Sequence, residues 1–188
     1  GYLGGYEYIA EVVGDESYRE LVHGLMTEEV IPTLDMPGVD LAAYRDQLLA
    51  RFANPALKHR TWQIAMDGSQ KLPQRLLGTI RDRLEAGQSI DRLALGVAAW
   101  MRYVTGIDEE GKEIDVRDPL ALKLLSIATD AGDDPEALFN GLVGITGIFG
   151  TDLADNEKFR NAVLEQLWSF WEDGAHETVA NYQLSAQE

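Results

Sequence analysis

NPALKHRTWQIAMDGSQKLPQRLLGTIRDRL, residues 54–84, changes character halfway along. Its first part is crowded with polar and charged groups: Lys58, His59, Arg60, Thr61, Gln63, Asp67, Ser69, Gln70 and Lys71 fall within fourteen residues. Its second part repeats Leu72, Leu76, Leu77, Ile80 and Leu84 at helical spacing, with Arg75, Arg81 and Arg83 away from that stripe. This predicts an amphipathic helix from Leu72 to Ala86, closed by Gly87. Between the two parts, Met66-Asp67-Gly68-Ser69 reads as a turn, because Gly68 accepts a positive φ and Asp67 and Ser69 can bond nearby backbone groups. Pro73 suits the first turn of the helix that follows, where no backbone donor is needed. A polar turn between a short helix and a long one makes a seat for a small polar ligand.

The same periodicity extends in both directions. Tyr2, Leu3, Tyr6, Ile9, Ala10 and Val13 predict a helix over 1–13. Gly4 and Gly5 would each cost an exposed helix about 1 kcal/mol, so a close approach by another group is expected there. A second helix is expected from Glu16 to Ile31, ended by Pro32. A third runs over 40–53 with Leu41, Tyr44, Leu48 and Phe52 inward. Ser89-Ile90-Asp91 opens a helix to Val104 whose Ala94, Gly96, Ala98 and Ala99 mark it as buried. Residues 105–117 are hairpin-like, turning at Asp108 to Gly111. Asp118-Pro119 and Asp134-Pro135 are helix starts, and Gly141, Gly144, Gly147 and Gly150 read as a small-residue face. The last strong helix covers 156–172, Gly174 ends it, and the tail is expected to fray. The class is all-α, a single multi-helix domain of eight or nine helices over residues 1–188.

Composition narrows the chemistry. At 188 residues, 45% hydrophobic and 26% charged, the chain can bury a sizeable core. It has no cysteine, which excludes disulfides and thiolate metal sites and fits a reducing, cytoplasmic setting. His23, His59 and His176 are never four apart, so no imidazole metal site is expected. No apolar run approaches the roughly 20 residues that span a bilayer, so no membrane is expected. No basic-then-apolar leader opens the chain; it starts inside what reads as a structural element, as a fragment does. A net charge of −16 excludes a general nucleic-acid surface. Residues 51–103 nevertheless carry nine bases against four acids. Such an island either attracts a small anion or pairs with acids across the fold.

Neither a nucleophile elbow nor a phosphate-binding glycine loop is present. The residues alone support a helical domain with a basic, polar, ligand-facing turn, and a non-catalytic interaction module remains an alternative. Residues 54–84 resemble, however, the C-terminal domain of the polyol-specific long-chain dehydrogenase/reductase (mannitol dehydrogenase) family. HRTWQIAMDGSQKLPQR is most similar to the fructuronate reductase (mannonate oxidoreductase) branch. GYLGGYEYIAEVV (1–13), MTEEVIPTL (26–34), WMRYVTGIDEEGKEIDVRDPLA (100–121) and LFNGLVGITGIFGTDL (138–153) extend the likeness over nearly the whole chain.

The resemblance implies a fold like the C-terminal domain of mannitol dehydrogenase or 6-phosphogluconate dehydrogenase, joined in cis to an N-terminal Rossmann domain that holds NAD. It implies reversible oxidation of a hexuronate or aldonate, or alternatively of a polyol such as mannitol or arabinitol. The family's catalytic Lys-x4-Asn-x2-His motif is absent here. Lys58, Lys71, Lys112, Lys123 and Lys158 are followed five positions on by Gln63, Leu76, Arg117, Ala128 and Val163. The motif is expected upstream of Gly1, so this chain is expected to be inactive alone. Arg60, Gln63, Asp67, Ser69 and Lys71 are the implied substrate-binding residues, with Arg60 and Lys71 suited to a carboxylate. The competing reading has Asp67 and Ser69 capping the helix near Leu72, His59 structural or exposed, and Trp62 in the core.

Overall fold

A computed structural model describes the backbone of residues 1–185 and the side chains of residues 1–182. In chain order the α-helices are α1 (Ile9–Gly14), α2 (Glu16–Gly24), α3 (Leu41–Phe52), α4 (Thr61–Ala65), α5 (Gly68–Leu72), α6 (Gly78–Glu85), α7 (Asp91–Tyr103), α8 (Ala121–Ala131), α9 (Pro135–Val143), α10 (Thr146–Phe149), α11 (Glu157–Glu172) and α12 (Gly174–Ser185). Two rods contain wider π-helical turns. α2 continues through Leu25–Val30 into a 3-10 turn at Ile31–Thr33, and α5 continues through Pro73–Leu77 into α6. In each, an N–H bonds the carbonyl five residues back: Ile31 to Met26 and Gly78 to Pro73. The first wide turn lies just before Pro32, whose ring would meet the carbonyl four residues back in regular winding, and the second begins at Pro73 and runs on from it. Among the described residues the only β pairing is two isolated bridges, Tyr8 with Arg60 and Ile107 with Glu113. No described helix is long and apolar enough to cross a membrane.

The all-α class holds, with eleven helical rods among the described residues where periodicity predicts eight or nine. The additions are the short α10 and the terminal α12. The tail does not fray at Gly174, because Ala175, Thr178 and Val179 of α12 are buried and His176 Nε2 lies 2.8 Å from the Gly4 carbonyl oxygen. The first helix is shorter than expected and begins only at Ile9. Gly5 takes φ +80°, a left-handed conformation that stops a helix and costs glycine little. α3 is mostly solvent-facing: Leu49 is its buried residue and Tyr44, expected inside, is 57% exposed.

The core is organised around α7. Its Leu93, Ala94, Val97, Ala98 and Met101 are fully buried, and so are Phe159, Val163 and Leu167 of α11. The alanines leave room for α11 to lie close. Phe159 also meets Phe139 and Phe149, with ring centroids 6.2 and 6.3 Å away. Each large side chain so buried contributes about 1.5–3 kcal/mol over its exposed state.

The start of α7 is held by a buried acid. Glu29, 1% exposed, accepts the backbone N–H groups of Arg92 and Leu93, both at 2.9 Å. Arg83, expected on the outer face of its helix, is buried beside it. Its Nη1 donates to the carbonyls of Glu28 and Glu29 at 2.9 and 3.2 Å, and its Nε donates to that of Ser89. Burial raises the Glu29 carboxyl above the ordinary range, against the lowering by the two N–H bonds and by the charges of Arg83 and Arg92. A carboxyl raised on folding binds protons more readily in the folded state, so its effect is to lower stability as pH rises from the unfolded value through the folded one. Glu29→Gln is expected to flatten this decline, and Glu29→Ala to cost about 3–5 kcal/mol by leaving buried donors and charge unmatched. Urea denaturation from about pH 4 to 7 checks both.

Candidate functional site

α4 is fastened at both ends. At its start, Ile9 N donates to His59 O at 2.9 Å, Thr61 N to Glu7 O at 3.0 Å, and Thr61 Oγ1 to Tyr6 O at 2.7 Å. Arg60 N donates to Gln63 Oε1 at 3.3 Å. The Arg60 guanidinium pairs with Glu7 at 2.7 Å and lies 5.4 Å from the Tyr8 ring centroid. At the other end, Lys71 Nζ donates to the carbonyls of Met66 at 2.5 Å and Ile64 at 3.3 Å.

The turn between α4 and α5 differs from its sequence reading in two respects. The rod after it begins at Gly68 and not at Leu72, which puts Pro73 in mid-rod and not in a first turn, and the positive φ falls one residue earlier. Asp67, at φ +57°, takes the left-handed conformation, and Gly68 opens α5. Glycine is needed at 68 for space: a Cβ there would lie 2.2 Å from Trp100 Nε1. Asp67 N donates to Arg117 O at 2.9 Å. Ser69 donates to Asp118 twice, from N at 2.8 Å and from Oγ at 2.6 Å.

The five residues singled out therefore fall into two groups. Arg60 and Gln63 stand at the start of α4, while Asp67, Ser69 and Lys71 surround its end, about 9 Å farther along at the rise of an α-helix. Ser69 is buried, with its hydroxyl engaged by Asp118. Asp67 makes no side-chain cap to α5. His59 is exposed, and Trp62 is half-buried beneath Arg117, whose Cζ lies 4.1 Å from the ring centroid. Arg117 and Asp118 are not legible from sequence as partners of this turn. The Asp-Pro pair signals a helix start, and Asp118 does accept Leu120 N at 2.8 Å, but nothing local reveals Ser69.

Two cavities flank the N-terminal segment. A groove of about 240 Å³ is lined by Leu3, Ile9, Ile64, Ala65, Trp100 and Tyr103, among others, and is largely apolar. The other, about 570 Å³, gathers aromatic Tyr2, Tyr6 and Trp62 with Glu7, Asp108 and Glu109. Burial pushes the Tyr103 hydroxyl up to about 12. The basic island is partly spent on the fold: Arg60 pairs with Glu7, Arg81 with Asp152 and Arg92 with Glu28. Among the described residues no group of three His, Cys, Asp or Glu is placed to hold a metal ion.

Residues 1–171 match the family model for the mannitol dehydrogenase C-terminal domain. D-mannonate oxidoreductase of Escherichia coli (strain K12) is 52% identical over 96% of this chain and 37% of its own length. Mannitol 2-dehydrogenase of Phaeosphaeria nodorum is 39% identical over 97% of this chain and 31% of its own length. The solved ternary complex of Pseudomonas fluorescens mannitol 2-dehydrogenase with NAD and D-mannitol gives a TM-score of 0.90 at 29% identity, over 97% of this chain and 37% of that one. The chain thus spans about a third of the length of these relatives. Gly68→Ala is expected to displace Trp100 or α5 and to lower stability by about 1–3 kcal/mol, measured by thermal unfolding followed through tryptophan fluorescence.

Proposed function

The chain belongs to the mannitol dehydrogenase family as its C-terminal domain, and from that premise we propose that it forms the substrate side of an NAD-dependent oxidoreductase acting on the CH–OH group of a hexuronate or aldonate. The 52% identity to D-mannonate oxidoreductase across almost the whole domain carries this reading. Among the described residues there is no strand and glycine loop to seat a dinucleotide. The NAD site, and the lysine that exchanges the proton on the substrate oxygen, are assigned to a Rossmann domain in cis. When bound, NAD supplies or accepts the hydride.

This chain's contribution is grip and alignment. Lys71 uses two of its three N–H donors on carbonyls, which fixes the ammonium and leaves the third for a substrate oxygen. Arg60 binds Glu7 through Nη1 and keeps further donors in a planar fork that suits a carboxylate. Gln63 and Asp67 offer polar atoms to hydroxyl groups, and buried Ser69 supports the turn. Ile64 and Ala65 line the apolar groove beside it. A polyol 2-dehydrogenase is the second reading, favoured by the likeness to mannitol 2-dehydrogenase and by the aromatic and acidic cavity beside Trp62.

Turnover of the full-length protein on fructuronate, mannonate and mannitol separates the two, with the sugar acids expected to be preferred. Equal rates on mannitol would overturn the carboxylate argument. Arg60→Ala and Lys71→Ala are each expected to raise KM for the acid about tenfold, as loss of one charge-assisted hydrogen bond does. An unchanged KM in both removes this turn from the site.

A further inference from the structure

The turn that carries Lys71 is held from outside by two adjacent residues of the segment before α8. Arg117 O receives Asp67 N at 2.9 Å. The Asp118 carboxylate receives Ser69 N at 2.8 Å, Ser69 Oγ at 2.6 Å and Leu120 N at 2.8 Å. Ser69 and Asp118 are 49 positions apart, so this contact is tertiary. It is also needed. Asp67 holds a left-handed backbone and contributes no side-chain cap, and a non-glycine residue in that conformation persists where its surroundings impose it.

We propose that Asp118 is a positioning residue for the substrate site, fixing the first turn of α5 so that the Lys71 ammonium stays seated on the Ile64 and Met66 carbonyls. The inference rests on the reading of Lys71 as a substrate-binding group. Capping of α8 does not account for the arrangement, because the Leu120 bond uses Oδ1 alone while Oδ2 goes to Ser69 N. With Asp118 removed, the left-handed turn loses the partner of its neighbour, α5 can shift, and Lys71 leaves its two carbonyls. Asparagine at 118 offers a single acceptor oxygen in place of the carboxylate's two and preserves only part of the brace.

The test is steady-state kinetics of the full-length protein carrying Asp118→Ala, Asp118→Asn, Lys71→Ala, or Asp118→Ala with Lys71→Ala. Asp118→Ala is expected to raise KM for the sugar acid about tenfold and leave KM for NAD unchanged, with Asp118→Asn in between. In the Lys71→Ala background, Asp118→Ala is expected to add nothing further. A lowered melting temperature with the sugar KM unmoved, or an effect fully additive with Lys71→Ala, would overturn the positioning role. An unchanged KM in Lys71→Ala overturns the substrate reading as well, so the two failures are distinguishable. Should Asp118→Ala not fold, Asp118→Asn and Ser69→Ala carry the same comparison.

Discussion

A carboxylate closed off from water at the head of the central helix is the constraint on which the remaining architecture depends. Glu29 meets the first N–H groups of α7 while Arg83 binds the carbonyls of Glu28 and of Glu29 itself. The end of the α2 rod, α6 and α7 are thereby locked together. α7 in turn carries Trp100, against which Gly68 packs, so the placement of the α4–α5 turn follows from the placement of α7. A buried acid is costly when unpaired, which makes the arrangement specific as well as cohesive.

Much of this is legible in the sequence because it is local. The apolar stripe of α6, the small residues of α7 and the Asp-Pro start of α9 each depend on neighbours a few positions away. Non-local features are not legible. Arg83 reads as an outward base, and the carbonyls of Ser89 and, brought from another rod, of Glu28 and Glu29 draw it inside. Gly68 reads as the residue with positive φ, yet Asp67 takes that conformation and Gly68 answers the bulk of Trp100. The pairing of Ser69 with Asp118 leaves no trace in periodicity at all.

The basic island shows how charge and availability differ. Its net positive charge suggests an anion site, but several of its members are engaged by acids or carbonyls of the domain itself. What remains for a ligand is set by donor geometry. Lys71 has a tetrahedral head with two positions taken, and Arg60 a planar one partly taken.

Each of the two π-helical turns holds one residue more than an ordinary turn would, and one residue corresponds to about 100° of rotation about a helix axis. Glu29 lies within the first such turn, and Arg83 lies downstream of the second. Shortening the second rod by one residue inside its wide turn would restore regular winding without breaking the rod. Because the wide turn already takes up that residue within a single revolution, everything beyond it would keep its facing and the Arg83 guanidinium would still reach inward. Losing a residue from the regular stretch of α6 ahead of Arg83 would instead swing it by more than a quarter circle, toward solvent.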